Sequence, residues 1–307
     1  MNIFDAHCDV LYKMWLNPTI VFEDAKELHI TGKQLKQTGA KVQCFAIYIP
    51  ESVSFEGRFD VALEMIDIFY TNVIQPSNVF KHVRTRHDIE NLKENEIGAV
   101  LTLEGCDPVG NSITRFKTLL RLGITSVGLT WNYANAVADG ILEARGAGLS
   151  TFGREIVKEA NRAHIWTDVS HLSIRGFWDV IEKAKYPIAS HSNSFSICNH
   201  PRNLNDEQIK ALIVNDGMIG VTFVPQFLTN KKTASITDIL KHVDYICSLG
   251  GENNLGFGSD FDGIDETVNG LSNFSNYETL INELLKHYSD TLVKRFLFQN
   301  FVEHMPN

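Results

Sequence analysis

Residues 97–104 read IGAVLTLE and residues 218–224 read MIGVTFV. Both are near-continuous runs of apolar and small residues, as expected of parallel strands covered on both faces. Six further runs read as strands: Ile3–His7, Val42–Ile49, Thr125–Thr130, Ile165–His171, Tyr186–His191 and Leu255–Phe261. Between them lie Ala62–Val73, Ser112–Leu122, Gly153–Ala163, Ile174–Ala184, Asp206–Asn215 and Thr237–Leu249, whose apolar residues recur at steps of three and four, the spacing of amphipathic helices. A doubly wound sheet would share this local pattern. Eight alternating units with polar residues gathered at the strand ends predict a (β/α)8 TIM barrel instead. No Pro/Gly/Ser-rich linker or short-period repeat interrupts the chain, so residues 1–307 are expected to form a single domain. From Asn276 onward, NYETLINELLKHY and SDTLVKRFLFQNF predict extra C-terminal helices outside the barrel, with Ser289 or Asp290 capping the second.

Composition narrows the partners. With 28 Lys and Arg against 37 Asp and Glu, the 307-residue chain carries a formal charge of -9, the wrong sign for neutralising phosphates, so no nucleic-acid partner is expected. No apolar run approaches the ~20 residues of a membrane-spanning helix. The start, MNIFDAHCDV, lacks the basic and apolar regions of a signal peptide. Cys8, Cys44, Cys106, Cys198 and Cys247 are scattered without CxxC spacing, which predicts a reduced, cytoplasmic compartment.

Barrel enzymes build their sites at the C-terminal ends of the strands. Here those ends carry His7-Cys8-Asp9, Glu104-Gly105, Asp168 to His171, Ser190-His191-Ser192, and Asp260 within GSDFDG. Residues two apart on a strand share a side, so His7 and Asp9 are expected to point together into the barrel mouth. Three histidines and three carboxylates (His7, Asp9, Glu104, His171, His191, Asp260) exceed the needs of one tetrahedral ion, and two ions sharing a carboxylate would use them. The ligand set suits Zn2+, with Mn2+ or Co2+ possible. Cys8 and Cys106 read as packing residues, Asp262 as a loop support and His200 as a solvated loop residue. The remaining histidines, His29 and His242 among them, receive no role.

The chain resembles the renal (membrane) dipeptidase family of dinuclear zinc peptidases. The likeness runs through DAHCDV, TLEG, LTWNYANAVADG, GLSTFGREIVKEANR, DVSHLS, SHSNSFSICNHPRN and GFGSDFDG, in order. It implies a metallo-dependent hydrolase barrel in which His7 and Asp9 hold one zinc, His171 and His191 the other, and Glu104 bridges them. It further implies that Asp260 is the acid/base residue and that Arg202 holds the substrate carboxylate, for which its planar fork is suited. Mammalian members carry a histidine after the Leu-Thr that ends strand four. This chain has Trp131 and Asn132 there, which are expected to line the substrate site, with Asn135 a further amide donor. Where the family has a tyrosine near the end of strand seven, this chain reads Phe223-Val224.

The expected activity is hydrolysis of a dipeptide amide bond by a metal-bridging hydroxide, with catalytic roles for Asp260 and Glu104. The resemblance also implies a possible homodimer. Two other readings share the same residues: a barrel amidohydrolase or deaminase acting on a cyclic amide, lactone or nucleobase, and a non-catalytic metal-binding barrel.

Overall fold

In the computed structural model, which describes residues 1–307, nine strands run parallel: β1 (Ile3–Asp5), β2 (Ala40–Tyr48), β3 (Phe80–His82), β4 (Ile97–Glu104), β5 (Ile124–Gly128), β6 (Trp166–Asp168), β7 (Pro187–Ala189), β8 (Met218–Val221) and β9 (Leu255–Phe257). Eight of them close a barrel in the order β1-β2-β4-β5-β6-β7-β8-β9, because β2 pairs along β4 from Val42 opposite Gly98 to Tyr48 opposite Glu104, and β9 returns to β1. Helices cover the outside, so the barrel strands are buried on both faces. The (β/α)8 expectation holds.

The ninth strand was not expected. β3 pairs with Ile97–Ala99 of β4, on the edge where β5 takes over from Leu101. Phe-Lys-His has no apolar run to mark it, and one buried phenylalanine suffices at this position.

The site-bearing strands also end sooner than their sequence suggests. The regular ladder stops at Asp5, Asp168, Ala189 and Phe257, where strands had been expected to continue to His7, His171, His191 and Phe261. Side-chain carboxylates take over the amides beyond. Asp5 accepts from the amides of His7 (3.4 Å) and Ser259 (2.8 Å), and Asp168 from those of Ser170 and Ser190 (both 3.0 Å). His171 and Asp260 then adopt positive φ (65° and 63°), which turns the chain out of the sheet.

The C-terminal segment departs from expectation as well. Its last helix, Asn300–His304, does not stay outside the wall but plugs the floor of the barrel. Phe301 stacks on Phe4 at 4.8 Å and meets Trp166 edge-on, and Trp166 Nε1 donates to the carbonyl of His304. Ser289, not Asp290, caps the helix over Asp290–Lys294 by accepting from the Leu292 amide. No helix is long and apolar enough to cross a membrane.

Candidate active site

The last residue of β4 and the loops after β1, β6, β7 and β9 bring His7, Asp9, Glu104, His171, His191 and Asp260 to one place at the C-terminal end of the barrel. Glu104 stands at the centre. Its Oε1 lies 3.0 Å from His171 Nε2 and 3.4 Å from His191 Nε2, while its Oε2 faces His7 Nε2 at 3.7 Å. His7 Nε2 is also 3.4 Å from Asp9 Oδ2 and 3.8 Å from Asp260 Oδ1. One carboxylate thus faces two groups of donors, His171 with His191 and His7 with Asp9. Gly263 is required here: a Cβ would come within 2.3 Å of Asp9 Oδ2 and 2.6 Å of Asp260 Oδ1.

The ring tautomers follow from the surrounding hydrogen bonds. His171 Nδ1 lies 2.8 Å from Asn132 Oδ1, which can only accept, so Nδ1 carries the proton and Nε2 a lone pair. His191 Nδ1 lies 2.8 Å from Ser190 Oγ, whose own proton goes to Asp168, so its Nε2 is a lone pair too. These two Nε2 atoms face each other at 2.9 Å beside Glu104. Burial, with Arg202 and His7 adding to it, holds both rings well below the usual imidazole pKa, so no proton separates them.

Lone pairs crowded in this way repel unless a cation lies among them. Two further observations point the same way. His7 Nε2 and Asp9 Oδ1 are buried with no hydrogen-bond partner. Asp9 also occupies the N-cap position of the helix Val10–Leu16, yet its side chain does not cap that helix. Burial opposes protonation of His7, but Glu104, Asp9 and Asp260 override it and push its pKa up to about 10. The field is that of a cation site, and imidazole with carboxylate is a donor set that fits a divalent metal.

The wall above these groups forms a cleft of about 330 Å3. Burial pushes the Asp260 pKa up to about 7, with His7 and Arg202 opposing and Asp9 adding to the rise. Arg202 is buried; its Nη2 donates to the His191 carbonyl at 3.2 Å, and its Nε has no partner. Burial lowers its pKa to about 10 against the pull of Asp260, Glu104 and Asp168, so it remains charged at neutral pH. Trp131 lies in the cleft wall with its ring 5.1 Å from that of Tyr48. Asn132 lies in the same wall, with its carbonyl oxygen committed to His171. Gly140 lets the loop fold back on this pair, since a Cβ there would stand 2.3 Å from the Trp131 carbonyl oxygen.

Other positions fall differently. Asn135 is a loop staple, bonded to the Leu129 carbonyl, Asp107 and the Val137 amide. Cys8 and Cys106 are buried, and burial pushes both thiols up. Asp262 clamps the amides of His29 and Ile30 at 2.7 and 3.1 Å. Phe223 is buried among Phe257, Phe261 and Tyr277, while Val224 reaches the cleft. His200 is not a freely solvated loop residue: its ring lies 4.3 Å from that of Phe227, tilted by 33°, and both line the cleft. Tyr12 and Tyr48 also line it. Tyr48 closes β2, and that position was its only signal in the sequence.

The model of the membrane dipeptidase family, peptidase family M19, matches residues 1–307. The chain belongs to this family. Among M19 and related proteins, the chain is 32% identical over 323 residues to dipeptidase verJ of Clonostachys rogersoniana, covering 99% of this chain and 83% of the relative. It is 26% identical to a structure described as the dipeptidase AC, a metallo peptidase of family M19, with a TM-score of 0.94 over 99% of this chain and 98% of the other. A metallo peptidase from Rhodobacter sphaeroides, solved with a phosphinate mimic of the dipeptide L-Ala-D-Ala, shares the fold at 24% identity and a TM-score of 0.94, covering 99% and 98%. Membership makes this chain a metallo dipeptidase of the M19 type.

Proposed function

We propose that residues 1–307 work as one metallo-hydrolase barrel domain that cleaves dipeptides with two zinc ions. His7 and Asp9 would hold one ion and His171 and His191 the other, with Glu104 offering Oε1 toward the second group and Oε2 toward His7. The observation that carries this reading is the pair of imidazole Nε2 atoms 2.9 Å apart beside the Glu104 carboxylate. Three imidazoles with carboxylates favour Zn2+, and Mn2+ or Co2+ would fit the same donors. When bound, such ions supply Lewis-acid polarisation of a carbonyl and a lowered pKa for water.

The chain's own residues do the rest. Asp260, whose Oδ1 lies 3.8 Å from His7 Nε2, takes a proton at that oxygen from the attacking water and returns it to the leaving amine. Arg202 offers a buried, charged donor group to a free C-terminal carboxylate, which fixes the last peptide bond as the one cut. Trp131 and Asn132 close one side of the cleft, and Asn132 also keeps His171 in the tautomer that can bind metal. The Rhodobacter peptidase, bound to a dipeptide mimic on the same fold, supports this substrate class. The test is hydrolysis of L-Ala-L-Ala by zinc-loaded protein, with L-Ala-L-Ala-amide as control. Cleavage of the free acid alone supports the reading, and equal cleavage of both removes the carboxylate clamp.

A further inference from the structure

Arg202 and His171 stand in the walls of two cavities of about 330 Å3 each. One is the catalytic cleft. The other is bounded by Ile141, Val169, Leu172, Phe195, Pro201 and Leu204, and no carboxylate lines it. Ile174 and Phe195 also form part of its wall while remaining 54% and 37% exposed, an apolar surface left facing water.

We propose that this second cavity receives the side chain of the substrate's C-terminal residue, so that the enzyme favours dipeptides ending in a large apolar residue. The inference rests on the reading that Arg202 holds the C-terminal carboxylate. Carboxylate and side chain leave the same Cα, so a side chain whose carboxylate sits on Arg202 starts beside the two cavities that have Arg202 in their walls. The cleft on one side is taken up by the scissile amide and the N-terminal residue, which must lie against Glu104 and Asp260 for reaction. The second cavity remains. Ser192, Asn203, Asn205 and Gln208 also line it, but its apolar walls return free energy for burying hydrocarbon, which a C-terminal glycine does not supply.

The experiment compares kcat/KM for L-Ala-L-Leu, L-Ala-L-Trp and L-Ala-Gly in zinc-loaded wild type, Ile174→Trp and Phe195→Ala. Both changes are at partly exposed wall positions that hold neither metal nor substrate carboxylate. Wild type should prefer Ala-Leu to Ala-Gly by about tenfold or more, the scale of selectivity an apolar pocket supplies. Ile174→Trp should shrink that ratio to within about twofold while sparing Ala-Gly, and Phe195→Ala should raise activity on Ala-Trp relative to Ala-Leu. Ratios unchanged in both variants, or equal losses on every peptide, overturn the subsite while leaving the dipeptidase reading intact. If zinc-loaded wild type cleaves none of the three, the parent reading fails and the subsite goes with it.

Discussion

Asp168 accepts hydrogen bonds from both the amide and the hydroxyl of Ser190, and that hydroxyl in turn accepts from His191 Nδ1. Asp5 holds Ser259 in the same way, through its amide at 2.8 Å and its hydroxyl at 2.6 Å, and it also accepts from the amide of His7 at 3.4 Å. Each buried carboxylate therefore latches a serine just past the end of the neighbouring strand, and each latch serves a different half of the site. Asp168→Asn should weaken one of two ions by 10- to 100-fold, on the order seen when a ligand's supporting partner is lost, and Asp5→Asn should weaken the other. Competition titrations with a zinc chelator check this. Loss of both ions together in either variant would show a general structural role.

Removing charge at the reacting carboxylates should separate chemistry from metal binding. Asp260→Asn is expected to keep both ions and lose about 10²- to 10⁴-fold in kcat, the range for a general acid/base. Glu104→Gln should instead lower metal content, because Glu104 lies between the two groups of donors. Metal analysis and turnover on the same samples check both; full activity in the first variant would take Asp260 out of the mechanism.

Arg202→Ala should act on binding. The variant is expected to raise KM for free-acid dipeptides at little cost in kcat, and to leave slow cleavage of amidated peptides almost unchanged. Equal losses on the two substrate types would exclude a carboxylate contact.

His242 sets a pH dependence of stability far from the chemistry. It is fully buried, with Nδ1 accepting from the Ser194 amide and Nε2 donating to the Leu228 carbonyl, both at 3.0 Å. Burial pushes its pKa down to about 4, against upward pulls from the Leu228 carbonyl and Asp238. The unfolded chain protonates the ring near pH 6.5, so acidification favours unfolding from there down to about pH 4. The contribution is complete above pH 6.5, and on the order of 3 kcal/mol is lost across that window. Urea unfolding at several pH values should show a steeper fall for wild type than for His242→Gln. Parallel slopes would contradict this.

Much of this architecture was legible because its physical signals are local. IGAVLTLE and MIGVTFV are apolar because β4 and β8 are buried on both faces, and the barrel follows from eight such units. The donors were legible for a related reason: a barrel leads its strand ends to one mouth, so His7, Glu104, His171, His191 and Asp260 converge although they are far apart in sequence. What escaped depends on contacts that sequence spacing does not encode. The ends of β1, β6, β7 and β9 are set by Asp5 and Asp168 capturing amides across strands. Phe301 reads as an ordinary helix residue until it is seen plugging the barrel floor. Tyr12, Tyr48, His200 and Phe227 line the cleft, but an aromatic wall and an aromatic core look alike in a sequence.

The central claim is that His171, His191, His7, Asp9 and Glu104 together hold a pair of divalent cations that dipeptide hydrolysis requires. Metal analysis of the purified protein, paired with Ala-Ala hydrolysis before and after chelation, tests it most directly. The account predicts two zinc-equivalents per chain, loss of hydrolysis when they are removed, and recovery when zinc is restored. A protein that binds no more than one ion, or that cleaves the peptide equally well without any, would contradict it.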